Sequence, residues 1–334
     1  MRTITTGISL LLVAATASAQ QGASTLASLC TRADAVLRVR VLASDPHDPA
    51  TVRTVLQRLE TLKGDAGERV FELTEPGGRA CGRALQGLLP GAGYVVFLRN
   101  DSTRGRVLVG GGSRAVVSAE PEVVAHVTAL CTVGASRLEI LTSGLDSTSE
   151  RVRRDAALAL PTLTELPSAT GPQRDRIRAE VRAALGRQDR TTIGLLTAAS
   201  RLGMSELVPE LVDDLVDGSH ASFAAATERA VLRLDPETAG ARLAARFESS
   251  NASARRRIVG MLTRLPAADA RPGLRSVLAC GDAACRSAAG SAWLRFGLDE
   301  DELRETVGLA EFEAYSRRLV TPPTFRSLRL APRR

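Results

Sequence analysis

Val152-Arg153-Arg154-Asp155-Ala156-Ala157-Leu158-Ala159-Leu160 sets the grammar for the larger part of this chain. The register begun by Val152 recurs at Thr191, Phe223, Ala254 and Cys285, in steps of 39, 32, 31 and 31 residues. Seven residues further on stand Ala159, Ala198, Ala230, Met261 and Ala292. Eleven on stand Leu163, Leu202, Leu234, Leu265 and Phe296. The long first step is taken up by a loop across Pro167 to Pro172. A second set of apolar positions precedes the first and is spaced by four, as on one helix face: Val208, Val212 and Val216, then Ala239, Leu243 and Phe247, then Ala270, Leu274 and Leu278. Each unit therefore reads as two helices joined by a short loop such as Asp217-Gly218-Ser219-His220. One pair cannot bury its apolar face alone, so neighbours must stack and share a core. The alanines seven residues into each register permit close helix approach. The expectation is an α-α solenoid of about five repeats in a domain from 136 to 319. Residues 299–319, with Leu303, Val307, Phe312 and Leu319, cap its C-terminal end.

Upstream the pattern changes. Leu37, Val39 and Val41 alternate with Arg38 and Arg40, the period of a half-buried strand. Short β-rich runs follow at 70–73, 94–98, 106–109 and 115–117. Turn clusters separate them, among them Pro76-Gly77-Gly78, Pro90-Gly91-Ala92-Gly93 and Gly110-Gly111-Gly112. Residues 52–63 are two-faced: Val52, Val55, Leu56 and Leu59 fit helical spacing, and only their context favours a bent strand. Pro121 opens a short helix carrying Val123, Val124, Val127, Leu130 and Cys131 on one side. Several short strands with one helix predict a small β-barrel domain over 20–135. The fold class is thus multidomain, β then all-α.

The two ends carry address and charge. Arg2, the apolar run Ile8 to Ala15 and Ala17-Ser18-Ala19 read as a signal peptide over 1–19, so the mature chain is expected to begin at Gln20 and to be exported, to the periplasm or beyond the cell. Leu29 before Cys30 does not fit a lipidation site, and no later apolar run is long enough for a transmembrane segment. Loss of Arg2 lowers the net charge from +7 to +6 (7 − 1). Arg317, Arg318, Arg326, Arg329, Arg333 and Arg334 match that excess, so the basic character belongs to the C-terminal end. Residues 320–334 are read as a flexible tail, with contact to an anionic surface as its sharper use. Aromatic residues make up 3% of the chain, too few for stacking platforms. With export, this argues against nucleic-acid binding. Five cysteines in an exported chain suggest disulfides. Cys280 and Cys285 are close enough in sequence to close a small loop, which leaves an odd thiol among Cys30, Cys81 and Cys131.

These stretches resemble known modules. Cys30-Thr-Arg-Ala-Asp-Ala-Val-Leu-Arg-Val-Arg-Val is similar to the first strand of the netrin-like module, the fold of the tissue inhibitors of metalloproteinases. Leu62-Lys63-Gly64, Cys81-Gly82 and the run from Gly91 to Leu98 resemble its later motifs, so the likeness covers about residues 28–133. It implies a five-stranded OB-type barrel and a Cys30–Cys131 bridge from barrel to helix, with Cys30–Cys81 the runner-up. The inhibitors chelate zinc through a cysteine at the mature N-terminus. Here Cys30 lies ten residues beyond Gln20, so that mechanism is not expected to carry over. Val152 to Leu160 resembles the second helix of a HEAT repeat, which implies architecture and not chemistry.

A search for chemistry finds little. His47, His126 and His220 are far apart and read as surface or interface residues. No HExxH, paired CxxC or Cys/His cluster is present, so no metal, cofactor or catalytic residue is assigned. The Gly110–Ser113 run lacks the endings of a phosphate or nucleophile loop. Arginines recur at the starts of second helices. Arg153, Arg154, Arg255 and Arg256 are the candidate partner contacts, against the plainer reading of a solvated face or pairing between repeats. The chain is therefore expected to be a non-enzymatic binding or scaffold protein that uses its solenoid surface for a protein partner. The alternative is an extracellular protease inhibitor acting through the barrel loops.

Overall fold

A computed structural model describes residues 25–45, 51–65, 67–76, 85, 87–103, 105–111, 114–187, 191–218, 221–279 and 282–320. The expected signal peptide, His47, Cys81, His220, Cys280 and residues 321–334 lie outside them. The chain is β followed by all-α, in two compact units that divide between Arg176 and Ile177.

The first unit starts with α1 (Leu26–Arg32), whose Thr25 cap accepts the Ser28 N–H at 3.0 Å. Six antiparallel strands follow: β1 (Ala35–Asp45), β2 (Thr51–Lys63), β3 (Val70–Pro76), β4 (Gly93–Asp101), β5 (Gly105–Leu108) and β6 (Val116–Ser118). Their order is β3-β2-β1-β4-β5, and β6 lies beside β5 on the same edge of β4. The expectation of five strands is corrected to six among the described residues, curled into a half-barrel. Leu37, Val39 and Val41 are buried as the alternation predicted, while Arg40 stays exposed.

The ambiguous stretch is a strand, and its false helical spacing has a physical origin. Val52, Thr54 and Leu56 are buried with period two. The pairing with β1 then skips Leu59 and Leu62, because Val39 pairs Arg58, Arg38 pairs Glu60 and Leu37 pairs Thr61. The extra residues at these bulges shift the side-chain alternation, and Leu59 ends 44% exposed. In β4, Val95 to Leu98 are all buried, so this strand is covered on both faces.

Three helices complete the first unit: α2 (Pro121–Cys131), α3 (Arg137–Gly144) and α4 (Glu150–Ala159). They pack on one another, α1 packs on α2 and α4, and α2 lies on β2. The first helix pair expected in the solenoid, α3 and α4, therefore belongs to the same compact unit as the sheet.

Helix α5 (Gly171–Arg187) spans the division. The second unit continues with α6 (Thr191–Leu202), α7 (Val208–Asp217), α8 (Ala221–Leu234), α9 (Pro236–Phe247), α10 (Ala252–Leu262), α11 (Ala267–Ala279), α12 (Ala283–Arg295), α13 (Glu300–Val307) and α14 (Leu309–Val320). Alternate helices pack together: α7 on α9, α9 on α11 and α11 on α13, with α6 on α8, α10 on α12 and α12 on α14. The reason is readable in α7, where Val208, Leu211, Val212, Leu215 and Val216 form one buried stripe. Gly218, at φ 69°, ends that helix in the left-handed conformation. Asp235, Asn251, Asp282 and Asp299 cap α9, α10, α12 and α13 through their side-chain oxygens. Gly290 on α12 leaves room for Tyr315 of α14: a Cβ there would stand 2.3 Å from the ring.

Candidate functional site

The cysteine pair is built by α1 and α2. Cys30 is buried, and Cys131 is half-buried at the last residue of α2. Their thiols are hydrogen-bonded to each other and unbridged, so the implied disulfide is met here as a contact between two sulfurs and not as a bond. That hydrogen bond, with burial behind it, pushes the Cys30 thiol far up. The same bond brings the Cys131 thiol down, helped by the charges of Lys63 and Arg137.

Lys63, the sole lysine, donates from Nζ to the carbonyls of Cys30 at 2.7 Å and Ala33 at 2.6 Å, and so caps the C-terminal end of α1. Gly64 follows at φ 75°, and a Cβ there would stand 2.0 Å from the Asp34 carbonyl oxygen. The Lys-Gly pair thus has two separate jobs: a cap and a close backbone approach. Cys285 is buried on α12, and its expected partner Cys280 lies outside the described residues.

A second cluster was not foreseen. His126 is buried, not at the surface, and its Nε2 lies 3.4 Å from Asp155 Oδ2. Asp155 Oδ1 accepts the Leu26 N–H, the first backbone donor of α1. One buried carboxylate on α4 therefore serves both α1 and α2. Nearby, Glu122 on α2 accepts from the hydroxyls of Ser147 and Thr148 and from the Ser149 N–H at 2.8 Å. Those three donors hold its carboxyl at about 2, below the ordinary 4.5. The signal for Asp155 was in the sequence: it stands three residues after Val152 and four before Ala159, on the face that buries both.

The arginine candidates separate by job. Arg153 gives Nη1 to the carbonyls of Ser147 at 2.6 Å and Thr148 at 2.9 Å. Arg255 gives its guanidinium to the carbonyls of Phe247 at 3.1 Å and Glu248 at 2.8 Å and lies over the Phe247 ring. Both hold the turn that precedes their own helix. Arg257, which the sequence reading did not select, does the same for Val216 one repeat earlier. Arg154 is half-buried. Arg256 is exposed, with Nε 3.3 Å from the Ala252 carbonyl of its own helix.

On the first helices of the second unit, arginines meet acids of the neighbouring first helix or the turn before it. Arg178 pairs with Glu206 at 2.7 Å, Arg182 with Glu210 at 2.8 Å and Arg246 with Asp217 at 2.7 Å; Arg271 pairs with Glu302. Exposed pairs of this kind each contribute about 0–1 kcal/mol, so their role is register more than stability. Among the described residues there is no group of three or more metal-binding side chains. No helix among them is long and apolar enough to cross a membrane. No known family matches the chain, and no curated protein matches it either.

Proposed function

We propose that the chain is an exported, non-enzymatic scaffold that binds a protein partner along its helical part. In this reading the first half is a netrin-like, OB-type barrel and the second a HEAT-type solenoid of about five repeats. The observation that carries it is the repeated register of the second unit. Val208, Ala239 and Ala270 are all buried, as are Val212, Leu243 and Leu274, with Val216, Phe247 and Leu278 one turn further on. Equivalent positions in successive first helices are buried alike, as stacked repeats would require. The strand order supports the barrel: β3 and β5 are the free edges of the path and pack near each other, so they would close the ring. The inhibitor alternative would act through the barrel loops; of the connections between strands, residues 46–50, 77–84 and 112–113 lie outside the described residues.

Export would also place Cys30 and Cys131 in an oxidising compartment with their sulfurs already adjacent. A non-reduced digest of exported protein is expected to yield the Cys30–Cys131 cross-linked peptide. Recovery of both as free thiols would remove the bridge from this reading.

The scaffold reading is tested by immobilising the mature chain and capturing proteins from the extracytoplasmic fraction of the source cells, followed by cross-linking. A saturable partner with cross-links concentrated in 177–320 is expected. No saturable partner, or cross-links confined to the sheet, would sink it.

A further inference from the structure

The two rows of helices in the second unit differ in how far their arginines are paired with acids. The second helices α6, α8, α10 and α12 carry one, two, three and two arginines, against Glu228 as their single acid. Glu228 is already paired with Arg264. Among the first helices, α7 has Glu210, Asp213, Asp214 and Asp217 and no base, while α9 and α11 each carry two arginines and one acid. The acids of α7 hold arginines of neighbouring helices, among them Arg182 and Arg242. Arginine on the first row is therefore largely neutralised. On the second row, Arg229 and Arg233 are exposed and meet no carboxylate among the described residues.

These two arginines edge a groove. It is a shallow, open depression between α6 and α8. Leu196 and Ala226 are its buried apolar floor, and Ile193, 41% exposed, and Thr197 form the opposite rim. We propose that this groove binds an acidic segment of a protein partner in extended conformation, with its carboxylates on Arg229 and Arg233. The proposal rests on the scaffold reading and names where and by what chemistry the partner docks.

Three features fix the occupant. Residues four apart on a helix have Cβ atoms about 6 Å apart, close to the roughly 6.7 Å between alternate residues of an extended chain. Two alternate acids can then each take one guanidinium, the geometry in which arginine binds carboxylate best. Second, the lining holds no aromatic ring and so offers nucleic-acid bases nothing to stack on. Third, the chain's own C-terminal residues from Thr321 contain four arginines, Arg326, Arg329, Arg333 and Arg334, and no acid, so they do not supply the acidic segment.

The test uses the full mature chain and a fluorescein-labelled peptide with glutamate at alternate positions and leucine between, read by anisotropy at low salt. Saturable binding is expected, weakening steeply with added salt and absent for the glutamine counterpart. The R229Q/R233Q double variant is expected to bind at least tenfold more weakly, R229K/R233K to recover part of the loss, and R40Q to bind as wild type. Thr197→Glu, on the opposite rim, is expected to weaken binding without touching either arginine. Unchanged circular dichroism checks that each variant is folded.

Equal binding by wild type and R229Q/R233Q would overturn the proposal. So would tighter binding of duplex DNA or anionic vesicles through the same two arginines. A captured partner indifferent to R229Q/R233Q would remove the groove and leave the scaffold reading standing.

Discussion

Asp155 holds more of the first unit together than any residue the sequence reading selected. It is 3% exposed and accepts from the Leu26 N–H and faces His126. Asp155→Ala would leave a buried backbone donor and a buried imidazole without their partner. A buried polar group left unsatisfied costs about 1–3 kcal/mol. Chemical denaturation is therefore expected to show a loss of that order for Asp155→Ala and a smaller one for Asp155→Asn, which keeps an acceptor for Leu26. Equal losses would mean that the charge, and not the acceptor, matters.

Glu122 gives a pH-dependent counterpart. Its folded-state value, about 2, lies below the ordinary 4.5, so its three hydrogen bonds stabilise the fold fully above 4.5. That contribution is lost as pH falls through the window between the two values. Denaturation midpoints of wild type and Glu122→Gln are thus expected to differ at pH 6 and to converge toward pH 2. A gap that stays constant over this range would show that the carboxylate's ionisation is not what holds the Ser147–Ser149 turn.

At the scale of the element, periodicity revealed existence and type better than register. The strand β1 and the stripe of first helices were legible because burial on one face forces a period of two or of 3.6. The nature of β2 was not, because Thr54 fills a buried position, Val55 is half-buried on the other face, and the bulge at Leu59 breaks the alternation. The arginine candidates were legible as positions but not as contacts, since capping a carbonyl and meeting a partner ask for the same side chain. The second-helix register also slips at its end. Leu265 lies beyond α10 and is 3% exposed, whereas Leu234 is the last residue of α8 and only half-buried. The two are therefore not interchangeable. Leu265→Ala is expected to cost about 2–5 kcal/mol as a buried deletion, and Leu234→Ala clearly less. Urea unfolding of both variants measures the difference, and a Leu234→Ala loss as large as that of Leu265→Ala would restore the simple register.

Across the whole molecule, the change from sheet to helices was plain in the sequence, but compactness follows contacts that no local pattern encodes. Single polar side chains help to join α3 and α4 to the sheet's helices: Asp155 reaches α1 and α2, Glu122 reaches the turn between α3 and α4, and Arg137 of α3 donates to Thr31 of α1. Asp155 and Glu122 are each separated from their partners by 25 residues or more, at |i−j| of 129, 29, 25 and 27. A cut at 135 falls before both α3 and α4. It would take away the acceptor of Leu26, the partner of His126 and all three donors of Glu122, and expose the apolar faces of α1 and α2 that α4 covers. A fragment of residues 20–176 keeps every one of these. It is expected to unfold in one cooperative transition, with the Cys30 thiol of the reduced fragment protected until that transition, because Cys30 is buried on α1. The 20–135 fragment is expected to melt at lower temperature, with Cys30 open to alkylation well below its midpoint. Thermal melts with parallel thiol labelling decide between them. If 20–135 is as stable and as protected as 20–176, the polar links to α4 are incidental, and the sheet with its two helices folds without the first helix pair.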